Sequence, residues 1–329
     1  MLKVAGGGGQ AQRAQLPVVS RPTGESVGID VRKLVQSAGK FESFELTPQS
    51  FLIQSDALTF LAALPNNSIH AAVTDPPYGL LEYDDANQKK LRSGRGGVWR
   101  IPPALNGIPR RPLPRFTVLD SRAKQSLVSF LRDIGDSLFR VLVPGAHLFL
   151  ASNPLLSSLA FQSLAESGFE KRGEVIRMVQ TLRGGDRPKG AEAEFHDISV
   201  MPRSCWEPWG IFRKPIEGTV AENLRKWGTG GLRRVSATEP FKDVILCSPA
   251  RGQEREIAPH PSLKPQRFVR KIVRASLPLG RGIVLDPFAG SGSTLAAAEA
   301  LGVASIGIER DVDYARMARS SVTRLALLP

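Results

Sequence analysis

Residues 284–309 read VLDPFAGSGSTLAAAEALGVASIGIE. The apolar run over 282–285 has the length and composition of a buried strand. A glycine loop follows, and then an alanine-rich helix predicted over 294–301 and stopped by Gly302. Residues 305–308 read as the next apolar strand, which Glu309 closes. Asp311 stands where the N-cap of a further helix belongs, ahead of a pattern running toward Leu325. Strand, loop, helix and strand make a βαβ unit, and such units build parallel sheets covered by helices.

The residues of this unit point to a nucleoside ligand. Gly290 and Gly292 have no Cβ, so the backbone there can pass close to a bound molecule. Glu309, at the end of the second strand, is placed to accept hydrogen bonds from two ribose hydroxyls. A nicotinamide fingerprint would need a third glycine where Leu295 stands, and a P-loop would need a lysine where Ser293 stands. Asp286 would repel a pyrophosphate but suits the amino group of a methionine moiety. S-adenosylmethionine fits this set better than NAD or ATP. A lone Gly-x-Gly is equally well a tight turn; Asp286, Phe288 and Glu309 at these spacings favour the ligand site.

Working outward, the second informative stretch is HAAVTDPPYG, residues 70–79. Residues 70–74 read as a buried strand ending at Asp75-Pro76-Pro77-Tyr78. The two prolines stiffen the loop and carry no amide donors. The Asp75 carboxylate and the Pro76 carbonyl are then acceptors with set directions, and an exocyclic amine has two N–H groups to offer them. Tyr78 supplies a flat face for a base. The amine of adenine or cytosine is a poor nucleophile because its lone pair is delocalised into the ring. Hydrogen bonds to both N–H groups favour charge building on nitrogen, which is transition-state stabilisation by preorganised acceptors. Neither Cys205 nor Cys247 follows a proline, which argues against covalent attack on cytosine C6. On its own the tetrapeptide is also compatible with a rigid turn. In a doubly wound sheet, however, the carboxyl ends of neighbouring strands share one crevice, where it would meet the glycine loop.

Between these stretches the chain alternates helix and strand. Helices are predicted over 57–64, 121–142, 154–168 and 267–277, and strands over 50–56, 147–151, 174–182 and 209–212. The pattern predicts an α/β fold with a doubly wound, largely parallel sheet closed by antiparallel edge strands. Residues 1–43, with their glycine run, read as a flexible tail. The catalytic half is expected over 44–216, a polar and basic segment over 217–258, and the cofactor half over 259–329. Residues 81–119 form a long basic loop.

The chain of 329 residues carries a net charge of +13, which points to a polyanion or an anionic surface as partner. It has no apolar run long enough to cross a bilayer and no signal-peptide pattern at its start. Nucleic acid and a cytoplasmic setting are therefore expected. Two cysteines make no disulfide framework, and nothing near them has metal-ligand spacing. Candidate phosphate contacts are Lys89, Lys90, Arg92, Arg95, Arg110 and Arg111 in the basic loop, and Arg225, Lys226, Arg233 and Arg234 in the later segment. Trp206 and Trp209 are expected to be buried.

Taken together, SDALTFLAALPNNSIHAAVTDPPYG, HPSLKP and VLDPFAGSGSTLAAAEALGVASIGIERDVDY resemble the N6-adenine/N4-cytosine DNA methyltransferase family. The order matches its permuted beta group, in which the catalytic motif precedes the cofactor motif. The resemblance implies a seven-stranded Rossmann-like fold and S-adenosylmethionine as cofactor. It implies that Asp286, Phe288, Gly290, Gly292, Ser293 and Thr294 line the cofactor, that Glu309 holds its ribose, and that Asp56 lies near its adenine. Lys264 would approach the cofactor carboxylate, while Asp75, Pro76, Pro77 and Tyr78 would hold a base flipped out of double-stranded DNA. The leading Asp75 resembles adenine-modifying members, with cytosine N4 left open. The 217–258 segment lies where the family places target recognition. A non-catalytic DNA-binding module and an RNA methyltransferase are the competing readings. A cognate restriction enzyme and a second copy of the chain are partners left open.

Overall fold

The computed structural model describes residues 30–78, 99–100, 113–114, 120–179, 187–188, 190–260 and 262–329. Its centre is a nine-stranded sheet. In chain order the strands are β1 (Glu42–Thr47), β2 (Ser50–Gln54), β3 (Ile69–Thr74), β4 (Leu142–Ala151), β5 (Glu170–Met178), β6 (Trp206–Arg213), β7 (Val244–Leu246), β8 (Ile283–Asp286) and β9 (Ala304–Glu309). They lie side by side as β1-β2-β9-β8-β3-β4-β6-β5-β7. The block β2-β9-β8-β3-β4 is parallel throughout. β6 runs antiparallel to both of its neighbours, as expected for the closing edge. The resemblance implies seven strands. The additional two are β1, which folds back on β2 as a hairpin, and three-residue β7, which extends the other edge.

Alternation along the central strands assigns each face its helices. Ile283 and Leu285 of β8, with Ile306 and Ile308 of β9, meet one apolar layer, while Val284 faces the other. On the first face lie α1 (Val31–Ser37), α2 (Ala57–Ala63), α3 (Ser121–Val141) and α4 (Ser157–Glu166). The buried apolar side chains of α3 are Leu127, Leu131, Ile134, Leu138 and Val141, a three-to-four-residue repeat that points one stripe at the sheet. Asp120 caps this helix by accepting from the Ala123 amide at 2.7 Å. On the other face α7 (Gln266–Ser276), α8 (Ser293–Ala300) and α9 (Val312–Ala326) pack side by side. Only small and apolar side chains permit α8 to be buried over residues 293–298.

Two expectations of chain organisation are corrected. The tail predicted to reach residue 43 ends earlier, because Asp30 caps α1 and Val31 and Val35 are buried in the core; residues 1–29 lie outside the described residues. The 217–258 segment, expected only as a polar and basic stretch, contributes a strand to the main sheet. It contains α5 (Val220–Trp227), held by a capping box, then β7 of the main sheet, then the short α6 (Gln253–Ile257). Its local polarity hid β7, which is held by pairing with the distant β5.

Candidate active site

Parallel strands place their carboxyl ends on one rim, and there the two sequence motifs meet. β3 delivers Asp75 and β8 delivers Asp286 side by side, since Ala72 pairs with Leu285. Thr74 Oγ1 donates to Asp286 Oδ1 at 2.7 Å, and Thr294 Oγ1 donates to the Val73 carbonyl at 3.3 Å. The catalytic strand and the glycine loop are thus stitched together although more than 200 residues apart.

A cleft of about 570 Å³ opens over this junction, within the usual range for small-ligand sites. Asp56, Asp75, Pro76, Pro77, Tyr78, Lys264, Asp286, Phe288, Gly290, Ser293, Thr294 and Glu309 all line it. Gly292 sits behind the wall as the N-cap of α8, with φ +85. A Cβ there would lie 2.3 Å from Val322 Cγ2, so this glycine is required by packing as well as by its left-handed backbone. Asp56 caps α2, accepting from the Thr59 amide at 3.2 Å.

Both oxygens of Glu309 are oriented by backbone donors, the Gly290 amide at 2.8 Å and the Asp311 amide at 2.7 Å. A carboxylate oxygen accepts more than one hydrogen bond, so each retains capacity for a hydroxyl. Burial nevertheless dominates, and Glu309 is pushed up to about 7 against the opposing pull of those amides. Asp286 is likewise pushed up to about 6 by burial, against hydrogen bonds from Thr74, Thr294 and Phe288. Neither carboxylate has a Lys or Arg within ion-pair distance among the described residues. Burial thus disfavours the charged forms of both carboxyls, and a cationic ligand would favour them. With an open glycine loop and the aromatic walls of Phe130 and Phe288, whose centroids are 5.8 Å apart, the residues fit S-adenosylmethionine.

At the other pole Asp75 is embedded in a charge network. Its Oδ1 accepts from the Tyr78 hydroxyl, and its Oδ2 lies 3.0 Å from Lys264 Nζ. Lys264 Nζ also reaches Glu207 Oε2 at 3.2 Å. Glu207 is in turn held by Trp209 Nε1 at 2.7 Å and Arg177 Nη2 at 3.1 Å. Burial raises the Asp75 carboxyl above its ordinary range; the Lys264 ammonium opposes this and Glu207 adds to it. Glu207 goes the other way. Burial would raise it, but Lys264 and Arg177 together bring it to about 2.

Several contributors carry no sequence signal of their own. Glu207 sits in the weakly patterned EPWG of β6, and only the fold brings it to Lys264. Phe130 reads as a helix-face residue and instead turns its ring to Phe288. His260 packs edge-on against Tyr314 at 4.4 Å, and both line the cleft. Burial, then Arg255 and Lys264, lowers His260 to about 4, so it is neutral near pH 7. Trp209 is buried in the cleft wall, whereas Trp206, also expected to be buried, is 37% exposed.

The predicted DNA contacts separate into two groups. Lys89, Lys90, Arg92, Arg95, Arg110 and Arg111 lie outside the described residues. Arg225, Lys226, Arg233 and Arg234 are not brought to the cleft. Asn223 of α5 bonds the Pro144 carbonyl at 3.0 Å, and the Arg233 amide bonds the Ala275 carbonyl at 2.9 Å. Pro144 and Ala275 stand at the amino-end rim of the sheet, opposite the cleft.

The family model for DNA methylase matches residues 69–320, spanning the catalytic strand, the cleft and the glycine loop. The chain belongs to the N6/N4 DNA methylase family. It transfers methyl groups to DNA with S-adenosylmethionine as donor. Among relatives, this DNA methylase is 26% identical over 284 residues to the type II methyltransferase M.HindIII of Haemophilus influenzae, covering 79% of this chain and 91% of that one. It is 24% identical over 314 residues to the type II methyltransferase M.XycI of Xanthomonas campestris pv. cyanopsidis, covering 84% and 91%. Solved structures share the fold. The PvuII DNA methyltransferase, described as cytosine-N4-specific, superposes with TM-score 0.55 at 15% identity, over 88% of this chain and 91% of that one. The DNA modification methylase TTHA0409 of Thermus thermophilus, complexed with S-adenosylmethionine, superposes with TM-score 0.52 at 20% identity, over 83% and 93%.

Proposed function

We propose that this DNA methylase modifies the exocyclic amine of a base flipped into the cleft, with adenine N6 as the target. The observation that carries this reading is Asp75 at the head of the tetrapeptide, half-buried beside the glycine loop and lining the cleft. The target N–H groups would donate to Asp75 and to the Pro76 carbonyl while Tyr78 stacks on the ring. When bound, S-adenosylmethionine supplies an activated methyl on a sulfonium. On accepting that methyl the target amine would have one proton to lose. A carboxyl raised by burial, as Asp75 is, suits an acceptor for that proton. Asp286 would face the methionine amino group, and Glu309 the ribose hydroxyls.

The chain order, catalytic motif before cofactor motif, supports placement in the permuted beta group. The cytoplasm is the expected place of action, and a restriction enzyme of the same specificity and a second copy of the chain are the partners to look for. Among the described residues no helix is long and apolar enough to cross a membrane.

The test is methyl transfer from labelled cofactor to duplex DNA, with the modified nucleoside identified by mass spectrometry. N6-methyladenine is expected. N4-methylcytosine would overturn the base assignment but leave the chemistry. Transfer to RNA alone, or DNA binding with no transfer, would favour one of the competing readings.

A further inference from the structure

The rim opposite the cleft carries a corner of four arginines: Arg233, Arg234, Arg274 and Arg281. Hydrogen bonds and close packing bring them together. The Arg233 amide donates to the Ala275 carbonyl at 2.9 Å. Arg274 Nη1 donates to the Arg234 carbonyl at 2.6 Å. The Arg233 guanidinium lies over Gly280, where a Cβ would stand 2.4 Å from its Nη1; Arg281 is the next residue. Arg233, Arg234 and Arg281 are exposed, and none of the four has a carboxylate within ion-pair distance among the described residues. At its border Glu239 is already paired with Lys242 at 2.9 Å, with Lys271 acting on the same carboxylate. The corner is therefore concentrated, unneutralised positive charge.

Its position separates it from the catalytic rim. α7 begins near Lys264 at the cleft and ends at Ser276 beside this corner. β3, of six residues, spans roughly 17–20 Å between the two rims at about 3.3 Å per residue. A duplex whose base enters the cleft would lie at the opposite rim of the sheet.

We propose that this arginine corner is a second, non-catalytic DNA-backbone site that holds another duplex segment while the cleft is engaged. The inference rests on the reading of the chain as a DNA enzyme, for which long DNA always offers a second segment nearby. Arginines without carboxylate partners, presented from separate chain segments, suit phosphate oxygens spaced along a backbone. Such a site would let the enzyme pass between segments without full release.

The test uses the full chain and the variant Arg233→Gln/Arg234→Gln/Arg281→Gln, with Arg274 retained because it anchors the backbone of residue 234. The cleft is first saturated with a short duplex that the enzyme methylates. A labelled duplex of unrelated sequence is then titrated and followed by anisotropy at several salt concentrations. The unmodified chain is expected to bind the labelled duplex, and the triple variant to bind it at least tenfold more weakly. The variant's salt slope should be shallower by up to about 3, at about 0.9 for each phosphate no longer neutralised. Methylation of the short duplex should be equal in both proteins, which reports on the underlying reading separately. Equal second-duplex binding by the two proteins would overturn the proposal. So would the absence of second binding by the unmodified chain, or impaired short-duplex methylation by the variant. Binding to phosphatidylglycerol vesicles in place of a second duplex would instead assign the corner to membranes.

Discussion

Lys264 Nζ lies 3.0 Å from Asp75 Oδ2, an ion pair between the two halves of the chain inside the catalytic cleft. The carboxylate assigned to the target amine is thus engaged by an ammonium whose other partner is Glu207. A target amine at Asp75 Oδ2 would share or compete for that oxygen with Lys264, which keeps Glu207 as its other partner.

Removing Asp75 tests the mechanism. Asp75→Ala should lower single-turnover methylation by about 10²–10³-fold or more, the loss typical of a transition-state hydrogen-bonding group. Cofactor affinity measured by calorimetry should change little. An active Asp75→Ala variant would remove Asp75 from the chemistry.

Lys264 lowers the Asp75 pKa against burial. Lys264→Met should therefore raise it further, and the acidic limb of the methylation pH profile should move to higher pH. An unmoved limb would mean that Asp75 ionisation does not control the rate.

Glu207 neutralises two buried cations, Lys264 and Arg177. Arg177 is already short of partners, with Nε and Nη1 unbonded among the described residues. Glu207→Gln should cost about 3 kcal/mol or more, because it leaves the Arg177 guanidinium buried without a counter-charge, while Lys264 keeps Asp75. Chemical denaturation checks this value, and a loss below about 1 kcal/mol would show that solvent reaches the network.

Glu309 gives a pH signature with a definite sign. Its folded value of about 7 lies above its ordinary 4.5, so its contribution to stability is full below 4.5 and lost as pH rises through 7. A cationic ligand prefers the charged carboxylate, so cofactor affinity should rise as pH increases from about 6 through 7, where Asp286 and Glu309 ionise. Glu309→Gln should weaken binding and flatten the part of this rise near pH 7. Calorimetry across pH 5.5–8, in buffers of different ionisation enthalpy, would also detect the released proton.

Charge removal separates the two basic regions. Neutralising Lys89, Lys90, Arg92, Arg95, Arg110 and Arg111 should flatten the salt dependence of methylatable-duplex binding. Arg225→Gln/Lys226→Gln should leave it unchanged, because α5 packs at the opposite rim and Lys226 is paired with Glu217 at 2.5 Å. The reverse pattern would refute this division of labour.

Local pattern is a sound guide wherever the chain's own periodicity carries the signal. The strand before Asp75, the βαβ unit of 283–309 and the cap at Asp311 stand where apolar runs and breakers put them. Pattern fails where long-range packing decides. Residues 31–37 look like part of a polar tail, yet Val31 and Val35 find the core. Residues 244–246, Val-Ile-Leu, are too short an apolar run to stand out in a polar segment, and they become a strand by pairing with β5.

The sequence by itself determined the set of groups the protein carries: a stiff acceptor tetrapeptide, an acidic glycine loop and a carboxylate at the end of the strand that follows it. These depend on residue type and short spacing, which local backbone physics reads directly. Only the tertiary structure decided which charges meet. It joined Lys264 to Asp75, placed Glu207 behind them, and sent Arg225, Lys226, Arg233 and Arg234 to the far rim. Electrostatic partnership falls off with distance in space, and distance along the chain does not specify it.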